Sequence, residues 1–166
     1  MNQSAAANNC CCPPFDPSRW NDRTHVWREK PFITGDVMQL FHIPLNVGWV
    51  IRRLWRQVAA ANARMSVEES LILFHDTSPW KSELFFSVSH EVPDAQNVGL
   101  SGTFVSRVFE GPYHAVPKWL REMDAVLKAQ NKKTEKYYVH YAYCPKCAKQ
   151  YGKNYGVVFA QVEDDP

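Results

Sequence analysis

The chain has 166 residues, of which 45% are hydrophobic and 22% are charged, and its formal net charge is +2. This length and composition are typical of one globular domain with a full hydrophobic core. Lysines and arginines are scattered among acids, which argues against a nucleic-acid-binding surface, and no apolar run approaches the ~20 residues of a membrane span.

The amino-terminal residues MNQSAAANNCCC lack the charged start and apolar centre of a signal peptide. We predict a disordered tail over 1–12 and a single domain over 13–166, in which 13–35 lead in as an extended arm. The five cysteines are an odd number in two clusters, which argues against a secreted disulfide framework. A cytoplasmic protein is therefore predicted.

Two segments, 36–63 and 103–130, share one pattern. When the first is laid on the second, Pro44 falls on Pro112. Each segment begins with a short apolar strand, continues through a proline-containing turn and ends in an amphipathic helix whose apolar residues recur at helical spacing. This similarity indicates an internal duplication.

Both helices are followed by strand patterns that resemble β-hairpins. These four strands are predicted over 70–76, 82–92, 136–143 and 154–162. The connector 93–102 is rich in turn-forming residues. The sequence therefore predicts an α+β fold built from two βαββ units, repeat 1 at about 36–92 and repeat 2 at about 103–162.

The second half carries the motif FEGPY at 109–113 and the closing segment KYYVHYAYCPKCAKQYGKNYGVVFAQV. On these residues the chain resembles the GyrI-like (gyrase-inhibitor-like) small-molecule-binding superfamily, over about 36–162. The resemblance implies pseudo-two-fold symmetry, with helices on one side of the sheets and a ligand cleft on the other. Members bind hydrophobic, often cationic compounds, or hydrolyse electrophiles such as cyclopropane-bearing natural products. No DNA-binding helix-turn-helix is recognisable before residue 36, so a stand-alone member is expected.

One departure concerns the carboxylate that drug-binding members place on a late strand, because YGVVFAQV has none. An acting carboxylate must then be Glu83, Glu110 or Asp76. Glu83 is the preferred general base, since it alternates with apolar residues and lies between Trp80 and Phe85, among rings that reduce its solvation. The alternative is a glutamate at the solvated rim.

A second group of candidates lies at the strand–helix junctions. His42 and Glu110 end the two repeated strands, and a His–Glu pair that faces inward can activate water. Tyr113 follows at the second junction and can donate a hydrogen bond to a ligand. For all three the alternative is a structural role at the junction. The remaining histidines show no paired ligand spacing and are predicted to be structural.

Strand alternation separates two faces in each sheet. Leu84, Phe86 and Val88, and likewise Val158, Ala160 and Val162, are predicted to lie under the helices. For 136–143 the sequence leaves open which face is which, although a row of tyrosines suits a cleft because each phenol needs a partner. The rings predicted to bind ligand are Trp80, Phe85, Tyr141, Tyr143 and Tyr155.

The CPKC motif admits three interpretations, which are a hairpin tip, a metal clamp and a redox centre. Because a closed zinc site needs about four ligands, the clamp would combine Cys144 and Cys147 with Cys11 and Cys12 of the tail. A redox pair normally begins a helix in a thioredoxin-like unit, which the order of elements does not suggest. A hairpin tip is preferred, with structural zinc second and no cofactor required.

The functional prediction is a hydrolase that acts on a hydrophobic or electrophilic small molecule in an aromatic cleft with a carboxylate-activated water. The alternatives are a non-catalytic protein that binds or sequesters apolar or cationic compounds, and an interaction module. A small-molecule ligand is the expected partner, with no nucleic acid and no membrane, and the protein is expected as a monomer or homodimer.

Overall fold

The structure, a computed structural model, describes residues 12–164 and within them a mixed α+β arrangement, which confirms the predicted class. The strands are β1 (Arg23–Leu40), β2 (Ile43–Pro44), β3 (Ile72–Ser78), β4 (Lys81–Ser87), β5 (Gln96–Glu110), β6 (Thr134–Tyr141) and β7 (Tyr155–Val162). The α-helices are α1 (Val47–Ala60), α2 (Val116–Ala129) and α3 (Pro145–Tyr151). Residues 1–11, most of the predicted tail, lie outside the described residues. None of the helices described has the length and apolar character that crossing a membrane demands.

The chain divides into two units. The central unit is Val26–Thr103, and the terminal unit comprises the described residues up to His25 and from Phe104 onward. In chain order the elements run β1, β2, α1, β3, β4 and then β5, α2, β6, α3, β7. Each half contains a strand, a helix and two strands in the predicted order, with β2 added in the first half and α3 in the second. The internal duplication and its symmetry stay predictions.

The central unit is a sheet of order β2–β1–β4–β3 with α1 on one face, and its pairs are antiparallel. The helix packs on this face through Val50, Leu54 and Val58. The strand residues beneath it include Ile33, Val37, Leu84 and Phe86, and Val88, which directly follows β4, belongs to the same cluster. The predicted helix side of β4 is therefore confirmed. Each such side chain stabilises the unit by about 1.5–3 kcal/mol when it leaves water.

β1 and β5 are both longer than the sequence predicts. β1 begins at Arg23, inside the predicted arm, and β5 begins at Gln96, inside the predicted connector. Within the central unit the Glu29 backbone N–H donates to Ser101 Oγ at 2.8 Å, and this hydroxyl donates to Glu29 Oε1 at 2.8 Å. The two residues are 72 apart in sequence. Local sequence patterns therefore could not predict this contact between the extended parts of β1 and β5.

The terminal unit has the sheet order β6–β7–β5, with α2 on one face. Trp119, Met123 and Leu127 of the helix pack on this face. The strand residues in the same cluster are Phe109, Val139, Val158, Ala160 and Val162. The predicted helix side of β7 is confirmed. Tyr137 and Tyr141 also pack against this cluster, so the face of β6 that the sequence left open, and for which a cleft was favoured, is the helix side.

The opposite face of the terminal sheet is covered by the chain's own amino-terminal residues. Phe15 lies against Tyr155 with ring centroids 5.2 Å apart, and Trp20 meets Phe159 edge-on at 5.8 Å. Ser106 Oγ donates to the Trp20 carbonyl at 2.6 Å. The sequence predicted that Tyr155 binds ligand in a cleft, whereas in this unit the arm packs on Tyr155 and on Phe159 beside it.

Candidate active site

A row of ionisable side chains crosses the central sheet on the face opposite α1. The strand register places Asp36 of β1 directly beside Glu83 of β4, and His75 of β3 directly beside Glu83 on the other side. Directly opposite residues in antiparallel strands have Cβ atoms about 4.5–5.5 Å apart. Glu83 and His75 are partly buried, whereas Asp36 is exposed and pairs with Lys81 Nζ at 3.2 Å. The predicted base Glu83 therefore lies between one carboxylate, that of Asp36, and one imidazole, that of His75.

The rings predicted around Glu83 have different exposures. Phe85 is only 6% exposed and meets Phe32 edge-on at 6.2 Å, so it forms apolar interior beside Glu83. Trp80 is 53% exposed and packs on Phe41 at 4.8 Å. Of these two predicted ligand-binding rings, only Trp80 offers accessible surface.

His42 lies in the two-residue turn between β1 and β2. Its φ is 66° and that of Phe41 is 48°, which is the left-handed backbone that tight hairpin turns require. His42 Nδ1 is 2.8 Å from Asp76 Oδ2, and both side chains are about half exposed. The imidazole therefore has a carboxylate partner within the central unit that differs from the predicted Glu110, and the activation of water by a His42–Glu110 pair stays a prediction.

Glu110 and Tyr113 line one open pocket of the terminal unit, with a volume of about 560 Å³. Its other walls come from α3 and from residues 152–154. The neighbouring phenol of Tyr155 is the main cause that raises the pKa of Lys153, and the charge of Glu110 makes a smaller contribution in the same direction. The fold therefore brings two of the predicted residues, Glu110 and Tyr113, to one pocket. Lys153, which lies beside them, was not predicted.

Tyr113 is held by the backbone of the same unit. Its hydroxyl donates to the Tyr143 carbonyl at 2.9 Å, and its ring meets Tyr141 edge-on at 4.7 Å. Burial raises the pKa of Tyr113, so the phenol stays protonated and able to donate near neutral pH. Because the hydroxyl already has an acceptor, this geometry favours the structural alternative for Tyr113.

The three tyrosines predicted to bind ligand all have internal contacts. Tyr141 lies on the α2 side of the sheet. Tyr143 is buried, stacks on Tyr151 at 4.5 Å and accepts a hydrogen bond from the Phe15 backbone at 2.9 Å. The ring of Tyr155 packs against the ring of Phe15. Strand alternation did not reveal these contacts, because the partners come from the arm and from α3.

Asn154 is a buried residue of this pocket that sequence reasoning missed. Its Oδ1 accepts from the Tyr143 and Tyr155 backbone N–H groups at 3.1 and 2.8 Å, and its Nδ2 donates to the Tyr143 carbonyl at 3.2 Å. Its own carbonyl accepts from Gly111 N–H at 3.1 Å. One side chain therefore joins both sides of the α3 connection beneath the pocket.

Replacing Asn154 with Ala is expected to lower the free energy of unfolding by about 2 kcal/mol, because buried backbone groups lose their partners. Urea denaturation of the full chain measures this change. Lys146→Ala, at an exposed position on α3, serves as the control and should stay within about 0.5 kcal/mol of the parent protein. Equal stability of both variants would contradict this role of Asn154.

The CPKC motif lies, as predicted, in the connection between the antiparallel strands β6 and β7, but this connection contains the helix α3 and is not a tight turn. Cys144 immediately precedes the helix, Pro145 is its first residue and Gly152 ends it with φ 75°. Proline at the first helical position and glycine just after the last are ordinary helix boundaries. The motif therefore does begin a helix after a strand, although β6 and β7 are antiparallel, unlike a thioredoxin-like unit.

The sulfur atoms of Cys12, Cys144 and Cys147 all lie within 4.8 Å of one another. This places Cys12, which the sequence assigned to the tail, against the CPKC motif. Cys147 is fully buried and the other two are partly buried. The fourth predicted ligand, Cys11, lies outside the described residues.

The fold of the chain is that of two solved structures at low sequence identity. One is an uncharacterised conserved protein from Listeria innocua, with a TM-score of 0.64 and 11% identity, covering 87% of this chain and 93% of the other. The second is a hydrolase from Listeria innocua, with a TM-score of 0.60 and 12% identity, covering 86% of this chain and 92% of the other. A comparison with curated proteins finds no match.

The model of the bacterial hydrolase family matches residues 1–162. The chain belongs to the bacterial hydrolase family, and this membership indicates an enzyme. The sequence-based prediction that favoured an enzyme is therefore confirmed.

Proposed function

We propose that this chain hydrolyses a hydrophobic, electrophilic small molecule and that Glu83 activates the attacking water. The observation that carries the proposal is the position of Glu83, partly buried between Asp36 and His75 on the sheet face opposite α1. A general base needs a carboxylate within reach of water and a neighbourhood that limits its solvation. Buried Phe85, two residues along β4, supplies apolar surroundings on the same face.

The neighbouring groups suit this role in different ways. Lys81 pairs with Asp36 and offsets part of its negative charge beside Glu83. The imidazole of His75 lies on the strand on the other side, where it can receive or return a proton. In the proposed reaction Glu83 takes a proton from water as the oxygen attacks the electrophilic carbon, and the protonated carboxyl then returns that proton to the departing group.

The finer assignment to the GyrI-like superfamily is part of this proposal. The FEGPY motif and the repeated order of strand, helix and two strands support it. The assignment suggests substrates that are hydrophobic electrophiles, among them cyclopropane-bearing compounds.

The second candidate is a binding protein for apolar or cationic compounds. It is favoured by the exposed rings of Phe41 and Trp80, which pack together at the end of the central sheet near β4. Exposed aromatic rings attract organic cations through their faces. This function would need no turnover.

A panel of hydrophobic activated esters and cyclopropane-bearing electrophiles tests the two candidates. Mass spectrometry should detect a product that has gained the elements of water, formed in proportion to the amount of protein. Heat-denatured protein is the control. Saturable binding, measured by calorimetry, without product from any compound would favour the binding protein and contradict the hydrolase.

A further inference from the structure

The three cysteines that meet at the start of α3 belong to segments that are far apart in sequence. The Cys144 backbone N–H donates to Cys12 Sγ at 3.3 Å, across 132 residues. The Tyr151 hydroxyl donates to the Cys12 carbonyl at 3.0 Å. The backbone N–H of Phe15 donates to the Tyr143 hydroxyl at 2.9 Å. Residues 12–15 are therefore fixed against both ends of α3, and several hydrogen bonds hold Cys12 in this position.

We infer that Cys12, Cys144 and Cys147 form a structural metal site for zinc. Thiolates are soft ligands that favour zinc among the common divalent metals. With Zn–S bonds of about 2.3 Å, the sulfurs of a tetrahedral site lie about 3.8 Å apart. Sulfurs already within 4.8 Å of one another reach this spacing through small side-chain movements. The fourth position is left for a water molecule.

The backbone contact to Cys12 is favourable for this role. An N–H group that donates to sulfur stabilises its thiolate form, which is the form that binds metal. The burial of Cys147 adds a further requirement. A thiolate there needs a compensating cation, because an unpaired buried charge is costly, and a bound zinc ion would supply it.

The oxidation state of Cys147 differs from that of the other two ligands. In the structure its sulfur belongs to a disulfide, whereas those of Cys12 and Cys144 do not. A sulfur in a disulfide has no thiolate to give to a metal. Zinc binding therefore belongs to the reduced chain. Two molecules of a thiol reductant supply two electrons and two protons to break the disulfide and leave as their own disulfide. Binding of zinc then releases the thiol protons of its ligands.

The site would act on the pocket beside it. Pro145, Ala148 and Lys149 of α3 form one wall of the pocket that contains Glu110. Zinc held between Cys12 and the start of α3 fixes this wall. The role proposed is structural, and it is independent of Glu83 and of the hydrolysis proposed above.

Elemental analysis of the full chain, purified under a thiol reductant, tests the site. About one zinc per chain is expected, and Cys144→Ser and Cys12→Ser should each hold far less. Cys10→Ser removes a cysteine outside the three ligands and should keep its zinc. An equal loss of zinc in Cys10→Ser would overturn this ligand set.

A measurement on the unsubstituted chain covers the case in which a variant fails to fold. Reduced protein whose zinc has been exchanged for Co²⁺ should show the near-ultraviolet absorption of thiolate-to-cobalt charge transfer and the visible bands of a tetrahedral ion. Zinc well below one per chain together with no such absorption would overturn the proposal. Neither measurement depends on catalytic activity, so failure here leaves the hydrolase proposal intact, and the reverse also holds.

Discussion

Glu83→Gln is expected to lower kcat/KM by about 100- to 10,000-fold, the range that a lost general base produces. Glutamine keeps the shape and hydrogen-bonding capacity of the side chain but cannot take a proton from water. The Kd of a bound substrate analogue should change little, because the loss falls on the transition state. Steady-state kinetics on a compound turned over by the parent protein, together with calorimetry, separate the two quantities.

Two further glutamates make this experiment decisive. Glu91 is an exposed acid of the same unit, and Glu91→Gln should retain full activity. Glu110→Gln tests the carboxylate in the pocket of the terminal unit. Loss of turnover in Glu110→Gln with full activity in Glu83→Gln would assign the base to Glu110 and contradict the role of Glu83. A loss of ligand affinity in Glu83→Gln without any turnover in the parent would support the binding protein.

Gly156→Ala is expected to lower the free energy of unfolding by about 3 kcal/mol, the upper part of the range for overpacking. Gly156 lies in β7 directly beneath the ring of Trp119 from α2. A Cβ atom there would overlap Trp119 Cζ3 and lie 2.9 Å from Cη2. The ring is 4% exposed and stacks on Phe109 at 5.8 Å, so little space is available for it to move.

Thermal unfolding should register this change as a fall in Tm of about 6–12 °C for a chain of this size. Gly48→Ala is the matched control, because a Cβ at Gly48 meets nothing within 4 Å and the residue lies in α1. Alanine should stabilise that helix by about 0.5–1 kcal/mol. An unchanged Tm in Gly156→Ala would mean that α2 can move away from the sheet without cost.

The candidate site was predictable only in part. Alternation along β4 placed Glu83 on the face opposite Leu84 and Phe86, because a period of two is written into the strand itself. Asp36 and His75 were not identified as its neighbours, since their positions depend on the register of three strands. Register is a property of the paired strands, and no single segment carries it.

The cysteine motif likewise contains one local signal and one contact that only the tertiary structure shows. Pro145 and Gly152 are recognisable helix boundaries, and they bracket α3 in the sequence. The interpretation of a hairpin tip passed over this local signal. The contact of Cys12 with Cys144 had no such signal, although a metal clamp that joins the two cysteine clusters was among the predicted alternatives.

The sequence by itself determined the α+β class, the two amphipathic helices and the apolar faces beneath them. These features follow from local periodicity, and burial of one face of each element is enough to specify them. Only the tertiary structure decided that β1 and β5 extend into the predicted arm and connector, that Phe15 and Trp20 cover the sheet face predicted to bind ligand, and that three sulfurs meet. The physical reason is that each of these contacts joins residues distant along the chain, so their geometry exists only after both partners have folded.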